Sequence, residues 1–293
     1  MQILVLGGTG LIGSAVVREL LARGHAVLGL ARSETSAARL AGFGATPLHG
    51  DITSPKAWTG RLPQLDAVIH TACDFDSDMR AIDHRLLDHL LPVLGAQANK
   101  SRFVTTGGCW LFGATGDEIA TEETALDPLP AFAWMVPHCA RVLAATEVDG
   151  IVIHPVMVHT ADGGVFQRFH RDAVERDAVR VVGSEKVRWP LVHADDLASL
   201  YALALEHAPT RSTWIGAAND AVAVGRIARA FAKRFGTRNQ DPHIISVDAA
   251  AAEWGEWARG YARDQRLSGA KAQRELGWRP MHVSPLSEIM QFA

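Results

Sequence analysis

The chain has 293 residues, of which 48% are hydrophobic and 21% are charged, and its formal net charge is −3. That length and composition suit one large α/β core, or a core with a smaller second lobe. Basic and acidic residues are interspersed, which argues against nucleic acid or a membrane surface as a partner. No apolar run reaches about 18 residues and no leader precedes the first strand, so we expect a cytoplasmic protein.

The first two predicted elements, a strand over residues 2–6 and a helix over 11–23, are joined by a glycine-rich turn. The turn contains Gly7, Gly8, Gly10 and Gly13. Early glycines let a pyrophosphate approach backbone N–H groups, and the last one lets the helix pack against the strand. The helix N-terminus also attracts phosphate. A turn without a ligand is the alternative, but the flanking strand and the apolar-periodic helix favour a dinucleotide site.

The second predicted strand, residues 26–31, ends in Arg32 and Ser33. An NAD site usually places a carboxylate here for the ribose hydroxyls, whereas an NADP site has a cation for the 2′-phosphate. Arg32 can pair with that phosphate and Ser33 can donate to it, so we predict NADP as the cofactor. The alternative is that Arg32 is a solvated residue at a helix cap and that Glu34 binds the ribose of NAD.

The third predicted strand, residues 45–49, leads into Gly50, Asp51 and Ile52. The carboxylate of Asp51 is placed to accept a hydrogen bond from the adenine amino group, and a plain turn is the competing interpretation. Strands and helices keep alternating beyond this point, which predicts a doubly wound parallel sheet. Further strands are expected near residues 66–71, 101–106 and 150–154, and helices near 34–41, 78–98 and 134–146.

After Pro155 the pattern loosens, and the helices expected there lie near residues 165–177, 194–207 and 225–236. We therefore expect a dinucleotide-binding core over residues 1–155. Residues 156–293 should form a smaller, mainly substrate-binding lobe, with some segments returning to the core.

His193, Asp195 and Asp196 stand at the start of the helix expected at 194–207. They could be taken for a catalytic acid cluster, but N-capping explains them better. The thirteen histidines and three cysteines show neither H-E-x-x-H nor Cys-x-x-Cys spacing, so no metal site is expected. An odd number of cysteines without paired spacing suits a reducing compartment.

Five stretches, taken in order, resemble the extended and atypical short-chain dehydrogenase/reductases, a family of sugar-nucleotide epimerases, dehydratases and dihydroflavonol-type reductases. They are the glycine turn, Gly50-Asp51, residues 66–72, residues 189–198, and the stretch from Leu276 to Pro280. The resemblance runs nearly from end to end, and it implies a Rossmann-type fold. It says little about the substrate, because function in such folds depends on the site.

The resemblance also implies the members of two sites. The cofactor site would consist of Gly7, Thr9, Gly10, Leu11, Ile12, Gly13, Arg32, Ser33, Asp51, Ile52, Thr71, Ala72, Cys73, Thr105, His138, Pro155 and Val158. An aromatic, mostly apolar substrate pocket would consist of Phe75, Cys109, Trp110, Trp134 and Trp189. For each aromatic residue, packing in the hydrophobic core is the alternative.

The chain departs from the family at the catalytic positions. The family uses a Ser or Thr after the fifth strand and a Tyr-x-x-x-Lys helix. Tyr201 and Tyr261 lack a lysine four residues later, and both lie far downstream of the expected helix. In the matching segment Trp134 and His138 occupy the tyrosine and lysine positions, and glycines fill the usual hydroxyl positions.

His138 and Thr106 remain as the candidate catalytic residues. His138 can protonate a developing alkoxide or enolate near neutral pH; it can also bind the nicotinamide ribose, or serve only as a helix residue. Thr106 can hydrogen-bond the substrate oxygen or pack at the end of a strand. Cys109 lacks an evident base, and a buried cysteine is more often inert.

Together these features predict an NADP-dependent reductase of a small, largely apolar carbonyl or conjugated substrate, with a proton source other than tyrosine. One alternative is an NADP-binding sensor or scaffold without turnover, which the loss of the Tyr-Lys pair supports. A further alternative is a nucleotide-sugar epimerase or dehydratase, although the downstream lobe shows no evident basic cluster for a diphosphate. The expected partner is a small-molecule substrate, and the protein is expected to be a monomer or homodimer.

Overall fold

The computed structural model describes residues 1–74, 77–161 and 163–290. Its strands are β1 (Gln2–Leu6), β2 (Ala26–Ala31), β3 (Thr46–His49), β4 (Ala67–His70), β5 (Arg102–Thr106), β6 (Asp149–Pro155), β7 (Met157–His159), β8 (Arg180–Val182), β9 (Arg188–His193), β10 (Ser212–Gly216), β11 (Asn219–Ala223) and β12 (His243–Ile245). Its α-helices are α1 (Leu11–Ala22), α2 (Glu34–Phe43), α3 (Lys56–Thr59), α4 (Met79–Gly95), α5 (Met135–Ala144), α6 (Phe166–Arg176), α7 (Ala194–His207), α8 (Val224–Phe235), α9 (Val247–Trp254), α10 (Ala270–Glu275) and α11 (Pro285–Met290).

Seven strands form the main sheet in the order β10-β6-β5-β4-β1-β2-β3. The pairings that join β1 to β6 are parallel. This confirms the predicted doubly wound parallel sheet. The chain runs outward from β1 through β2 to β3 and then returns to β4 on the other side, so the order reverses between β1 and β4. Ligands of such sheets bind in the crevice beyond the carboxyl ends of the strands at this reversal.

The central strands are almost completely buried, and their sequence explains why. Residues Ile3 to Leu6 of β1 and Ala67 to Ile69 of β4 are each 0% exposed. A parallel strand covered on both faces needs an apolar run rather than alternation. One face is filled by leucines of α4, including Leu86, Leu90 and Leu94, together with Phe103 of β5.

The chain forms two compact units. The first comprises residues 1–107, 134–153 and 197–214, and the second comprises residues 108–133, 154–196 and those from 215 onward. Segment 108–133, which the sequence prediction placed in the core, thus belongs to the second unit. Helix α7 belongs largely to the first unit because it is apolar on most faces, with Leu197, Leu200 and Leu205 fully buried.

The second unit has its own small sheets. In one of them, β9 pairs in parallel with β7 and antiparallel with β11. In the other, β8 and β12 are paired in parallel. Over the described ranges, no helix is both long enough and apolar enough to cross a membrane.

Candidate cofactor and active site

The glycine turn after β1 owes its shape to close backbone approaches. Gly7 has a φ of +84°, and a Cβ on it would lie 2.6 Å from the backbone N of Ala72. A Cβ on Gly13 would lie 2.1 Å from the carbonyl oxygen of Gly7. Both positions therefore exclude every residue except glycine. A Cβ on Gly10 would meet the same oxygen at 3.4 Å, so the turn itself tolerates a side chain there.

Helix α1 begins at this turn with its N-terminal amides open. Its N-cap is Gly10, and within the described chain no side chain caps the helix and no acidic residue lies in its first turn. The first N–H groups of a helix have no intrahelical acceptor and carry partial positive charge. The turn and α1 together therefore form a cradle suited to phosphate oxygens.

A cavity of about 660 Å³ lies next to the cradle in the first unit. It is lined by Gly7, Thr9, Gly10, Leu30, Arg32, Ser36, Gly50, Asp51, Ile52, Thr53, Thr71, Ala72, Cys73, Asp74, Ser77, Met79 and Ile82. These residues follow or flank the carboxyl ends of β1, β2, β3 and β4. Nine of the predicted cofactor residues are therefore brought together: Gly7, Thr9, Gly10, Arg32, Asp51, Ile52, Thr71, Ala72 and Cys73.

The other eight predicted cofactor residues are not in the cavity lining. Residues 11–13 form the first turn of α1, and Ser33 caps α2. Thr105 is buried in β5, and His138 lies on α5. Pro155 is the last residue of β6 and Val158 lies in β7, and both residues belong to the second unit.

The end of β2 supplies a cation and a hydroxyl to the cavity. Arg32 is exposed and lines the cavity together with Ser36. The Ser33 hydroxyl accepts from the Ser36 backbone N–H at 3.2 Å and lies 3.1 Å from the Ser36 hydroxyl. Sequence reasoning missed Ser36, although the capping pattern Ser33-x-x-Ser36 was its signal. The Glu34 side chain is 93% exposed, lies 3.8 Å from His49 and is absent from the cavity lining.

Asp51 both shapes a turn and lines the cavity. Its Oδ1 accepts from the Thr53 N–H at 2.8 Å, and its carbonyl accepts from Trp58 Nε1 at 2.8 Å. Trp58 is fully buried, and a Cβ on Gly50 would lie 2.6 Å from its ring. Asp51 can therefore both stabilise a turn and bind adenine. One carboxylate oxygen holds the turn, and the residue still lines the cavity.

Thr106, at the end of β5, has a hydroxyl that is already engaged. It lies 2.7 Å from the His70 carbonyl oxygen and 2.7 Å from the Tyr201 hydroxyl. A carbonyl only accepts, so Thr106 donates to His70 and accepts from Tyr201. Tyr201 is fully buried, and burial raises its pKa. Tyr201, which the sequence excluded as a catalyst, thus holds the candidate catalytic residue Thr106 in place. The two residues are 95 positions apart, so no spacing pattern indicated this contact.

Two histidines beside β5 make different contacts: His70, at the end of β4, pairs with a buried carboxylate, and His138, on α5, contacts other rings. His70 Nε2 lies 3.0 Å from Asp83 Oδ1, and both residues are buried. His138 is half-buried, with its ring 5.5 Å from that of Trp134 and 6.2 Å from that of His84. Burial lowers the pKa of His138, and the charge of Asp83 opposes that shift. The neutral imidazole is therefore the favoured form near pH 7.

The predicted substrate-pocket residues differ in how much of each is exposed. Phe75 lies outside the described residues. Trp189 is 2% exposed and donates from Nε1 to the Tyr261 carbonyl at 3.0 Å. Cys109 is 5% exposed, and burial raises the pKa of its thiol to about 12. For Trp189 and Cys109 the structure corrects the prediction, because both are core residues of the second unit with almost no surface for a substrate.

The two remaining pocket candidates keep exposed surface. Trp110 is half-buried in the second unit, with ring centroids 5.3 Å from Phe132 and 5.6 Å from Tyr261. Trp134 is half-buried in the first unit beside His138. Each is described within its own unit, and each is only partly buried.

The start of α7 holds a compact polar cluster. The Asp195 N–H donates to His193 Nδ1 at 3.2 Å, in the manner of an N-cap. Asp196 accepts the backbone N–H groups of Met281 and His282, both at 2.8 Å. The ligand atoms of His193, Asp195 and His282 lie within 4.8 Å of one another. The Nδ1 lone pair of His193 serves the predicted cap. The contacts of Asp196 with the later segment, and the grouping of His193 and Asp195 with His282, were not indicated by the sequence.

The sequence of this chain is similar to those of several known proteins. The sequence model of the NAD dependent epimerase/dehydratase family matches residues 3–216. An uncharacterized protein of Schizosaccharomyces pombe is 29% identical over 297 residues, covering 99% of this chain and 98% of that protein. Isoflavone reductase homolog P3 of Arabidopsis thaliana is 24% identical over 259 residues, covering 83% of this chain and 77% of that protein.

Two solved structures share the fold and contain a nicotinamide cofactor. The dTDP-glucose 4,6-dehydratase DesIV of Streptomyces venezuelae, solved with NAD and TYD, has a TM-score of 0.84 at 20% identity and covers 100% of this chain and 95% of that chain. A human epimerase family protein solved with NADPH has a TM-score of 0.79 at 19% identity and covers 100% of this chain and 99% of that chain. At such identities the likeness concerns the fold.

Proposed function

Because this chain belongs to the NAD dependent epimerase/dehydratase family, we propose that it binds NADP and reduces a small, largely apolar carbonyl or conjugated substrate. The observation that carries the proposal is the cavity at the ends of β1 to β4, which joins the phosphate cradle of Gly7 and Gly10 to the exposed guanidinium of Arg32. This order matches the chemistry of a dinucleotide, with its pyrophosphate at the cradle and its adenosine end beyond β2 and β3.

The preference for NADP over NAD rests on the end of β2. Arg32 and the Ser36 hydroxyl line the same cavity, and a guanidinium with a hydroxyl suits the 2′-phosphate. Glu34 would repel that phosphate, but its carboxylate is 93% exposed and lies beside His49. The cavity residues therefore fit NADP, whose reduced form, NADPH, would supply the hydride.

The residues near β5 would handle the proton. Thr106 donates to the His70 carbonyl, so it keeps an acceptor lone pair but has no free proton for a substrate oxygen. His138, which stands in place of the family lysine, carries a titratable nitrogen in this region. It binds the ribose through an N–H or gives a proton to the developing alkoxide.

Charge pairing in the second unit argues against a nucleotide-sugar substrate. Arg188 lies 2.6 Å from Asp264 and 2.9 Å from Asp117. Arg180 lies 2.9 Å from Asp172 and 2.8 Å from Glu253. Guanidinium groups already paired with carboxylates must exchange those partners before they bind a diphosphate, which costs affinity. A small apolar substrate makes no such demand.

A second candidate, an NADP sensor or scaffold without turnover, is favoured by the engaged hydroxyl of Thr106 and the missing Tyr-Lys pair. Titration of the purified protein with NADPH and NADH, followed by a panel of ketones, aldehydes and enones, separates the candidates. We expect NADPH to bind at least about 10-fold more tightly, equivalent to ~1.4 kcal/mol, and at least one apolar carbonyl to oxidise it. Tight NADPH binding with no oxidation across the panel would favour the sensor, and conversion of a nucleotide sugar would favour an epimerase or dehydratase.

A further inference from the structure

Three side chains that can ligate a metal meet where β9 passes into α7. They are His193 at the end of β9, Asp195 in the first turn of α7 and His282 in the segment between α10 and α11. One nitrogen or carboxylate oxygen of each lies within 4.8 Å of those of the other two. All three residues belong to the second unit, so the group is built within one unit.

The backbone around His282 is fixed independently of its ring. The buried carboxylate of Asp196 accepts the N–H groups of Met281 and His282, both at 2.8 Å. The Asp196 carbonyl accepts from Trp278 Nε1 at 2.9 Å. Nδ1 of His282 lies 3.2 Å from Asp196 Oδ1, although not in the alignment of a hydrogen bond. A carboxylate beside one ring nitrogen orients an imidazole for metal binding through the other.

A fourth histidine borders the group and is itself buried. His159 is 0% exposed, and its ring lies 5.4 Å from that of His193 at an angle of 77°. Among the described residues, neither ring nitrogen of His159 has a hydrogen-bond partner. Buried polar groups normally have a partner, which can be a water or an ion. A water that completes the coordination of a metal on His193 would provide one, so His159 is an independent indication of a polar ligand here.

We propose that His193, Asp195 and His282 bind one divalent transition metal ion of the zinc class, which fastens the segment after α10 to the start of α7. Two imidazoles and a carboxylate suit such an ion, whereas Mg²⁺ and Ca²⁺ prefer oxygen donors alone. The inference goes beyond the proposed function and does not depend on it. The sequence predicts no metal site, because its motifs are local and His282 lies 86 positions from Asp196.

Binding requires the exposed ligands to move inward. Zn–N bonds of about 2.1 Å place tetrahedral ligand atoms about 3.4 Å apart. The rings of His193 and His282 are stacked at 3.9 Å with 19° between their planes, so one ring must tilt for both lone pairs to meet at one ion. The side chains of Asp195 and His282 are 58% and 34% exposed and can rotate.

One existing contact competes with the metal. Nδ1 of His193 accepts the Asp195 N–H at 3.2 Å. That N–H belongs to the first turn of α7, where amides have no intrahelical acceptor and can be satisfied by water. Coordination through Nδ1 therefore exchanges one cap contact for a metal–nitrogen bond.

The test uses the full chain, freed of metal by a chelator and then titrated with Zn²⁺ against a chromophoric chelator. We expect one tight site per chain that excess Mg²⁺ or Ca²⁺ does not block. Asp195→Asn and His282→Gln should each weaken the affinity for Zn²⁺ by at least about 100-fold, because even the loss of a group behind a ligand costs 10- to 100-fold. These two side chains are chosen because they are the more exposed ligands.

The matched control is His243→Gln, because His243 is an exposed histidine of the same unit, on β12. This variant should bind Zn²⁺ like the parent. Thermal unfolding is a second readout, since an ion that binds only the native state stabilises it. Zn²⁺ at about 100 times its Kd should raise the Tm of the parent and of His243→Gln by about 5 °C, and that of His282→Gln hardly at all.

Two outcomes overturn the inference. One is a parent protein without a one-to-one Zn²⁺ site. The other is a site that survives both Asp195→Asn and His282→Gln, because the ion is then held by other histidines. If His282→Gln loses the circular-dichroism spectrum of the parent, Asp195→Asn decides, since Asp195 is the most exposed ligand. A Zn²⁺ site that is lost in these variants supports the inference even if no carbonyl oxidises NADPH, a result that contradicts only the proposed function.

Discussion

The two ends of the candidate site are built in different ways. The phosphate cradle uses backbone groups of a single stretch, Gly7 to Gly13, and its geometry follows from where a Cβ does not fit. The end proposed to handle the proton instead depends on contacts between elements, such as Thr106 of β5 with Tyr201 of α7 and His70 of β4 with Asp83 of α4. The proposed phosphate site is thus a local property of the chain, whereas the proposed proton chemistry depends on side chains that only the fold brings together.

The two ends should respond differently to mutation. A steric change in the cradle should act in an all-or-none manner, because backbone N–H groups either reach a phosphate or do not. Changes at the proton-handling end should be graded, because each side chain adjusts a charge or a hydrogen bond.

Gly10→Val should weaken the affinity for NADPH by about 100-fold or more and leave the fold intact. Among the described residues the added Cβ meets only the Gly7 carbonyl oxygen, at 3.4 Å, but the branched side chain occupies the space that a pyrophosphate needs. Gly13→Val is the matched contrast, since its Cβ would lie 2.1 Å from that oxygen and should also destabilise the protein. Cofactor titration and thermal unfolding measure both. Parent-like NADPH affinity in Gly10→Val would show that the cradle is elsewhere.

His138→Ala should lower turnover by about 10²-fold, the usual scale of general acid catalysis, even at saturating NADPH. In the parent the rate should fall as pH rises, because the imidazolium is lost; burial lowers the pKa of His138, so this fall comes at a lower pH than for a free histidine. Steady-state kinetics across pH measure this. If His138→Lys retains activity and the alanine variant loses cofactor affinity in step with rate, His138 binds the ribose instead.

Arg32→Asp should reverse the cofactor preference, weakening NADPH binding by about 10- to 100-fold, because a carboxylate repels the 2′-phosphate. Arg39→Asp is the control, since Arg39 lies over the ring of Phe43 on the same helix and is outside the cavity lining. Titration of each variant with NADPH and NADH provides the comparison. Equal affinities of the parent for the two cofactors would remove the assignment to NADP.

Tyr201→Phe should have the smallest effect, a loss of about 1 kcal/mol in the free energy of unfolding, because Thr106 loses a buried hydrogen-bond donor. Chemical denaturation measures this loss. Affinity for NADPH should not change, because Tyr201 is fully buried and outside the cavity lining. A turnover loss as large as that of His138→Ala would instead assign Tyr201 a role in the reaction.

Sequence alone determined much of the fold and several residues that line the cavity. The strands expected at residues 2–6 and 26–31 and the helix expected at 194–207 have those bounds in the structure. Gly7, Arg32 and Asp51 were named from the turn and from the strand ends that precede them. These features are accessible because hydrophobic periodicity, glycine geometry and strand ends are properties of neighbouring residues.

Only the tertiary structure decided the rest. It showed β10 at the edge of the main sheet beside β6, the Tyr201 hydroxyl against Thr106, and the Asp83 carboxylate against His70. It also showed that Trp189 is buried in the core of the second unit, where the sequence had predicted a pocket residue. A local pattern cannot specify these contacts, because burial and the pairing of distant side chains are decided by how the elements pack.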